Sequence, residues 1–477
     1  MKFNKKVFLI FLVALVIRII FFFSSLVKWW DETVYANLGY DLSKNLLHYS
    51  LRDSLWSDFI PSAGNVIYSW PKIGFRAPLL PYSISILYLL KVDFLIDFLM
   101  PFVGALSVVL IYLIGKKLFS ERVGIYSAIL MCFIPLHVIY SAKILTDVFF
   151  TFFILLAILF FWKGFEEKNN KYKLFFGIFL GLSILARYNG LWFIPIFGLY
   201  LLIRYRLNLF KDKYFWFSFL LFILVLIPLF IYSFFEYGTI LGSFIHGSIA
   251  SSYWGGLQDW KFFFDNWIIM FSFEGIVFLI ALGYILYKRD YVKKEIYFLI
   301  LFFVLFIFLA SIMAHKEDRL LMPIIIVICL ISGFFLNELK KYKISVLILI
   351  VFLCSISLCV SFSITYFNSY NSENSCFLKA NKFLNQVNPD SVIITDESSI
   401  VYYYAKKTTH FYTNPWTVSS FLNLVRTNYL DSEVYVLFSP NARYSNVNSS
   451  ILENDLNSVG EIVFNCENNS RIYHILK

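Results

Sequence analysis

Charged residues are scarce in this chain: Asp, Glu, Lys and Arg make up 15% of its 477 residues, against 59% that are hydrophobic. A soluble fold of that composition would expose large apolar patches, which excludes an ordinary water-soluble domain. Nucleotide-binding signatures are missing as well. There is no G-x-x-x-x-G-K-[ST] phosphate loop, no paired glycine fingerprint and no G-x-S-x-G elbow, which argues against a nucleotide-driven cytoplasmic enzyme. Cysteine and histidine number six each, and neither shows zinc spacing. Cys132, Cys329, Cys354 and Cys359 lie within apolar runs as packing residues. Cys376 and Cys466 flank a polar tail and pair only if that tail faces an oxidising compartment. Of the scattered histidines, His137 and His246 read as packing or loop residues, and His315, beside an acidic turn, is the candidate for chemistry.

Apolar runs, by contrast, are abundant. Stretches of roughly 17–22 residues recur, each long enough to cross a hydrocarbon core of about 30 Å. About eleven spans are expected, near 7–27, 98–115, 123–140, 147–163, 172–187, 190–204, 214–234, 266–287, 295–313, 320–336 and 344–364. The first of them, with a basic start and no small-residue cleavage site, reads as a retained span. From Tyr366 onward the apolar runs shorten to strand length and Asn, Ser and Asp become frequent. The expected fold class is therefore a polytopic α-helical membrane protein, with a transmembrane catalytic domain over 1–365 and a small α/β domain over 366–477. In the latter, 391–395, 400–404 and 433–438 read as strands, 461–464 with 471–476 as a terminal hairpin, and 376–386 as a helix.

The net charge of +10 invites an anionic partner, but the basic residues are spread over short loops between spans. Positive-inside topology accounts for them, and no nucleic-acid partner is expected. With Lys2, Lys5 and Lys6 in the cytoplasm, the clusters at 116–122, 163–173, 204–213, 288–294 and 340–343 all fall on that side. The segment 79–90 tests this assignment, because one more span there would put most later clusters outside. It is short, with Pro78 before it and Pro81 in its first turn. It is expected as a juxtamembrane helix at the outer interface, within one long first loop from Lys28 to about Asp97. Odd parity then leaves the N-terminus cytoplasmic and the C-terminal domain extracytoplasmic, where Asn448 and Asn468 begin N-x-S triplets of little weight.

Several charges at outer helix ends are not explained by packing in a membrane. The first loop opens Trp29-Trp30-Asp31-Glu32-Thr33-Val34-Tyr35, a carboxylate pair between aromatics. Crowding and partial desolvation suit such a pair to general-base or cation-binding work; the alternative is an acidic residue beside an aromatic belt. Arg76, ahead of the interfacial helix, suits a phosphate or simply snorkels. In the short second loop, Ser141 to Asp147, an acidic residue facing lipid would cost up to about 3 kcal/mol, so Asp147 is expected to face a polar cavity unless it is only a helix cap. Lys143 shares that loop; Arg187 marks the next outer turn, and His315-Lys316-Glu317-Asp318-Arg319 a later one. All of these fall on one face under a topology chosen by charge alone. Carboxylates and cations gathered there suit a hydroxyl acceptor, a phosphate leaving group and a lipid that delivers it.

These residues resemble the polytopic glycosyltransferases of the GT-C class, which include protein O-mannosyltransferases and lipid A aminoarabinose transferases. Asp31-Glu32 with Tyr35 resembles the D-E-x-x-Y motif of the first loop, and Arg76-Ala77-Pro78-Leu79 the (H/K)-P-P-L segment. Ser141 through Asp147 is similar to S-R-x-x-L-x-D, with Lys143 in place of the arginine. Gly181 through Gly190 looks like G-L-A-x-L-x-K-x-x-G, and Glu317-Asp318-Arg319 with Pro323 like E-x-R-Y-x-x-P. The first two hundred residues match in order and spacing; the later spans match weakly and the tail not at all.

The resemblance implies transfer of a sugar from a polyprenyl- or dolichyl-phosphate donor to a hydroxyl acceptor on the outer face, with inversion at the anomeric carbon. It makes Asp31 the base, Glu32 and Asp147 the groups that orient the acceptor or hold a cation, and Arg76, Arg187 and Arg319 the partners of the lipid-phosphate leaving group. Lys143, Tyr35 and His315 complete the expected substrate-binding set. No soluble cofactor is required; a divalent metal is compatible with the resemblance, and no ligand cluster in the sequence settles its use. Membrane lipids are the other partner. Two rival classes are a transporter or flippase, which would place charges within spans, where Arg18 is the main one here, and a noncatalytic glycan-binding subunit. The loop 236–265, with Trp254-Gly255-Gly256, reads as an interfacial loop or as a sugar-binding one.

Overall fold

The computed structural model describes residues 5–24, 28–49, 56–57, 76–255, 259–313, 315–339, 342–369, 372–395, 397–411, 431–438, 449–466 and 471–475. The chain divides into two units, one of residues 1–24, 75–80 and 94–365, the other of 25–74, 81–93 and 366–477. The helices in chain order begin α1 (Lys5–Phe23), α2 (Trp30–Lys44), α3 (Leu79–Leu89), α4 (Ile96–Leu118), α5 (Glu121–Phe133), α6 (Pro135–Ser141) and α7 (Thr146–Phe161). There follow α8 (Asn170–Ala186), α9 (Phe193–Tyr205), α10 (Lys213–Tyr237), α11 (Gly242–Gly255), α12 (Phe262–Asp265), α13 (Trp267–Lys288), α14 (Lys294–Ser311), α15 (Ile324–Glu338) and α16 (Lys343–Ser369). The tail adds α17 (Ser372–Gln386), α18 (Ser398–Ala405) and α19 (Ser449–Val459).

Each of the eleven expected membrane segments is helical. Among the described residues eight helical runs are long and apolar enough to cross a bilayer: α1, α10, α13, α14 and α16, and α4, α7 and α9 once their flanking helical turns extend them to Asp93–Leu118, Thr146–Glu166 and Tyr188–Lys211. The pair α5 and α6 makes a ninth, bent by 61° where Pro135 interrupts it. The other two segments are α8 and α15, of 17 and 15 residues, at or below the short end of a crossing. The chain is a multi-pass membrane protein. The segment expected at the interface is helix α3, whose 11 residues rise about 16 Å, too little to span.

Helix starts are set by local chemistry. Ser120 accepts the Val123 N–H at 3.3 Å at the head of α5, and Asp212 accepts the Tyr214 N–H at 2.9 Å at the head of α10. Close packing needs small residues at one crossing: a Cβ on Gly115 of α4 would lie 2.8 Å from the Gly124 Cα of α5. Away from the expected outer turns, the buried Glu166 carboxylate joins the end of α7 to its neighbours, accepting from Tyr200 Oη at 3.0 Å and Lys294 Nζ at 2.9 Å. A charge this well buried is tolerable because it is paired and hydrogen-bonded.

In the second unit six strands form one sheet, β1 (Trp56–Ser57), β2 (Val392–Thr395), β3 (Thr408–Phe411), β4 (Val434–Phe438), β5 (Gly460–Asn465) and β6 (Arg471–Ile475), in the order β1-β3-β2-β4-β6-β5. The first four are mutually parallel, and β4, β6 and β5 are antiparallel. Alternate residues serve opposite faces. Val392, Ile394, Val434, Val436 and Tyr473 pack with Leu456 of α19, while Ile393, Leu437 and Ile472 pack with Ala380 and Leu384 of α17 and Val401 and Ala405 of α18. A Cys376–Cys466 disulfide, with Cα atoms 6.0 Å apart, ties α17 to the end of β5. The terminal hairpin, both flanking strands and the helix at 376–386 stand as read from the sequence.

Two features differ. The expected strand at 400–404 is helix α18: its aromatic, β-branched composition suggested a strand, but Val401 and Ala405, four residues apart, bury on one helical face, and Lys406, at φ 54°, ends it. The first loop, moreover, contributes to the tail's own sheet and layers. β1 pairs with the β3 edge, Asn37 Nδ2 donates to the Ser399 carbonyl at 2.9 Å, Thr33 Oγ1 lies 2.9 Å from Ser399 Oγ, and Lys406 Nζ sits 5.0 Å over the Tyr40 ring. The sequons at Asn448 and Asn468 and the glycine of Trp254-Gly255-Gly256 at 256 lie outside the described residues.

Candidate active site

Three helix ends of the first unit meet at Asp147. It lies in the first turn of α7, where the helix dipole favours a carboxylate, and it is 1% exposed. Arg187 closes α8, with its N–H on the Ser183 carbonyl at 3.0 Å, and extends its Nη1 to Asp147 Oδ1 at 2.5 Å and Thr146 Oγ1 at 3.3 Å. Arg319, in the short turn ahead of α15, brings Nη1 to 3.9 Å from Asp147 Oδ2. Two guanidinium groups thus converge on one buried carboxylate.

The turn carrying Arg319 is itself held by charge. Its guanidinium forks onto both oxygens of Glu317, through Nε to Oε2 and through Nη2 to Oε1 at 3.0 Å, and His315 Nε2 stands 3.1 Å from Glu317 Oε1. Burial acts to raise the Glu317 carboxyl, but the Arg319 charge and hydrogen bonds from His315 and Arg319 outweigh it and hold the group well below the usual carboxylate range. Asp318 Oδ1 accepts from the Arg319 N–H and from Tyr140 Oη, both at 2.7 Å, so α6 anchors the same turn.

Lys143 is 6% exposed in the loop that leads into α7 and accepts the Leu145 N–H at 2.8 Å through its carbonyl. Arg76 is joined to the Arg187 turn by its backbone: Tyr188 Oη donates to the Arg76 carbonyl at 3.3 Å. Of the residues expected from sequence, then, Asp147, Arg187, Arg319 and His315 form one continuous network, with Lys143 and Arg76 attached along the chain. Asp31, Glu32 and Tyr35 belong to the other unit, in the first turns of α2. Asp31 is half-buried, and Glu32 and Tyr35 are buried. Glu32 Oε2 accepts the Trp29 N–H at 2.8 Å, the reciprocal half of a capping box, so part of its carboxylate serves the helix start. Among the described residues no three His, Cys, Asp or Glu side chains cluster as a metal site.

Residues 75–232 match the family model of dolichyl-phosphate-mannose-protein mannosyltransferases. No curated protein is significantly similar in sequence. Among solved structures, ArnT from Cupriavidus metallidurans bound to undecaprenyl phosphate superposes with a TM-score of 0.72 at 12% identity, covering 98% of this chain and 97% of that one. The oligosaccharyltransferase of Archaeoglobus fulgidus complexed with zinc and sulfate gives 0.65 at 14% identity over 98% of this chain and 72% of that one, and its AglB complex with an inhibitory peptide and a dolichol-phosphate gives 0.59 at 12% over 99% and 74%. The chain has the GT-C fold. The resemblance read from the sequence motifs stands on that fold and on the family match.

Within the GT-C fold of this chain, the sequence does not announce the Tyr140 hydroxyl, nor that Glu317 and Asp318 hold the turn carrying Arg319. The acidic pair was visible as a motif. Tyr140 was not, because 123–140 reads as one straight span, and only Pro135 signals the break that turns Tyr140 toward Asp318.

Proposed function

We propose that this chain transfers a sugar from a polyprenyl- or dolichyl-phosphate donor to a hydroxyl acceptor on the outer face of the membrane, inverting the anomeric carbon. The observation that carries this reading is the convergence of Arg187 and Arg319 on Asp147 at helix ends. The lipid phosphates named with ArnT and AglB support a lipid-phosphate donor.

In the reaction, the acceptor oxygen forms a bond to the anomeric carbon as the bond from that carbon to the phosphate oxygen breaks, and the acceptor proton passes to the Asp31 carboxylate. Arg76, Lys143, Arg187 and Arg319 stabilise the departing lipid phosphate, which gains negative charge as it leaves. Asp147 keeps two of those guanidinium groups in place, and Glu32, Tyr35 and His315 orient the substrates. A phosphate-linked sugar is already activated, so no soluble cofactor is needed. The N-terminus is cytoplasmic and the C-terminal domain extracytoplasmic.

The test is transfer of radiolabelled sugar from a panel of polyprenyl-phosphate donors to cell-envelope acceptors, in membranes carrying wild type or Asp31→Asn. Transfer by wild type alone is expected. An active, well-inserted Asp31→Asn protein removes Asp31 as the base, and no transfer from any donor favours a flippase or a glycan-binding subunit.

A further inference from the structure

Arg18 is a charge inside a span that the proposed chemistry leaves unused. It lies on α1 and is fully buried. A guanidinium at that depth is expensive unless the protein supplies its acceptors, and such a residue is retained for a reason. Its Nη1 donates to the Ala14 carbonyl at 2.9 Å, and its Nη2 reaches the Met131 carbonyl at 3.4 Å and His137 Nδ1 at 2.7 Å.

Two of these acceptors belong to the bend between α5 and α6. Pro135 has no N–H, so the carbonyl four residues before it, that of Met131, loses its helical partner. Arg18 supplies that partner from another helix. A guanidinium only donates, so His137 Nδ1 accepts and its ring proton sits on Nε2. At the end of α6, Ser141 Oγ donates to the His137 carbonyl at 2.5 Å and lies 3.3 Å from Nδ1. Phe21, three residues along α1, packs on Val138 and Ala142. Gly104 of α4 leaves the room this needs: a Cβ there would come within 2.8 Å of Arg18 Nε and 2.9 Å of Ser141 Cβ.

We propose that Arg18 is a positioning residue for the outer site. It clamps the α5–α6 bend, and so sets where the 7-residue α6 delivers the loop holding Lys143, the Tyr140 hydroxyl that anchors Asp318, and the Asp147 carboxylate. The inference rests on the transferase reading. A displacement of about 1 Å at a reacting constellation costs roughly 100-fold in rate, which is the scale of effect expected when the clamp is removed.

The experiment uses the full chain in membranes and two readouts. In the transfer assay, Arg18→Met and Gly104→Ala lower kcat about 100-fold with KM for the acceptor nearly unchanged, and Arg18→Lys recovers about tenfold of the loss. Independently of catalysis, an Ala142→Cys probe in a Cys359→Ser background is labelled at least tenfold faster by an impermeant maleimide when Arg18 is Met, while a Thr239→Cys probe is labelled at its original rate. Full kcat in Arg18→Met, or unchanged labelling at position 142, overturns the clamp; faster labelling at both positions overturns it too, because the bundle has then loosened as a whole. If wild type moves no sugar from any donor, the transferase reading fails, and the labelling alone decides whether Arg18 fixes the bend.

Discussion

In the proposed reaction Asp147 is one buried carboxylate that organises cations for another anion, the departing phosphate. With two guanidinium groups turned to it, it fixes their direction at the cost of part of their charge, so a substitution that keeps its shape is the informative one. Asp147→Asn is expected to lower transfer at least 100-fold while membrane insertion is unchanged, measured as initial rate against the amount of extracted protein. Glu317 gives a pH signature. Its folded carboxyl is held below the usual range, so its contribution to stability is complete above the ordinary carboxylate pKa of about 4.3 and is lost as pH falls from there toward the folded value. The melting temperature of wild type should therefore exceed that of Glu317→Gln by a constant margin from pH 7 to about 5 and by a shrinking one below; a margin that shrinks already between pH 7 and 6 would contradict this sign. The charges of this site were legible in the sequence because each breaks an apolar pattern. Tyr140 breaks nothing, and a hydroxyl inside an aromatic-rich run does not announce its partner.

At the scale of elements, length and hydropathy located eleven segments that are all helical, and among the described residues eight of them, or nine with the bent pair, are long and apolar enough to cross a membrane. They were silent on the 61° bend, which depends on where Pro135 leaves a carbonyl and who answers it. The same limit applies to α18, where composition argued for a strand and a four-residue burial spacing made a helix. The Cys376–Cys466 bridge closes a loop with a sequence separation of 90, for which the chain-entropy account gives about 4.6 kcal/mol. Cys376→Ser should lower the unfolding temperature of the tail in the detergent-solubilised chain by several degrees, read by thermal melting with and without reductant. An unchanged melt under both conditions would mean that α17 and β5 hold without the bridge.

For the whole molecule, charge parity gives an orientation that intact cells can test. Protease added outside should remove an epitope appended after the tail and spare one placed before α1; the reverse pattern would invert the topology. Sequence reading drew the tail as a separate block, because strands two residues long such as β1 leave no periodic trace. The structure instead builds the first loop into that block, through β1 on the edge of β3 and through Asn37 and Thr33 on Ser399, 362 and 366 residues apart in the chain. That separation matters during biosynthesis. The segment bearing Asp31 is made among the first, yet its partner is translated only after every membrane helix, so a nascent chain carries the loop unpartnered for most of its synthesis. A chain truncated ahead of the tail would therefore keep the sequence of every membrane helix but leave β1 and the Thr33 and Asn37 side chains of α2 without the partners that hold them.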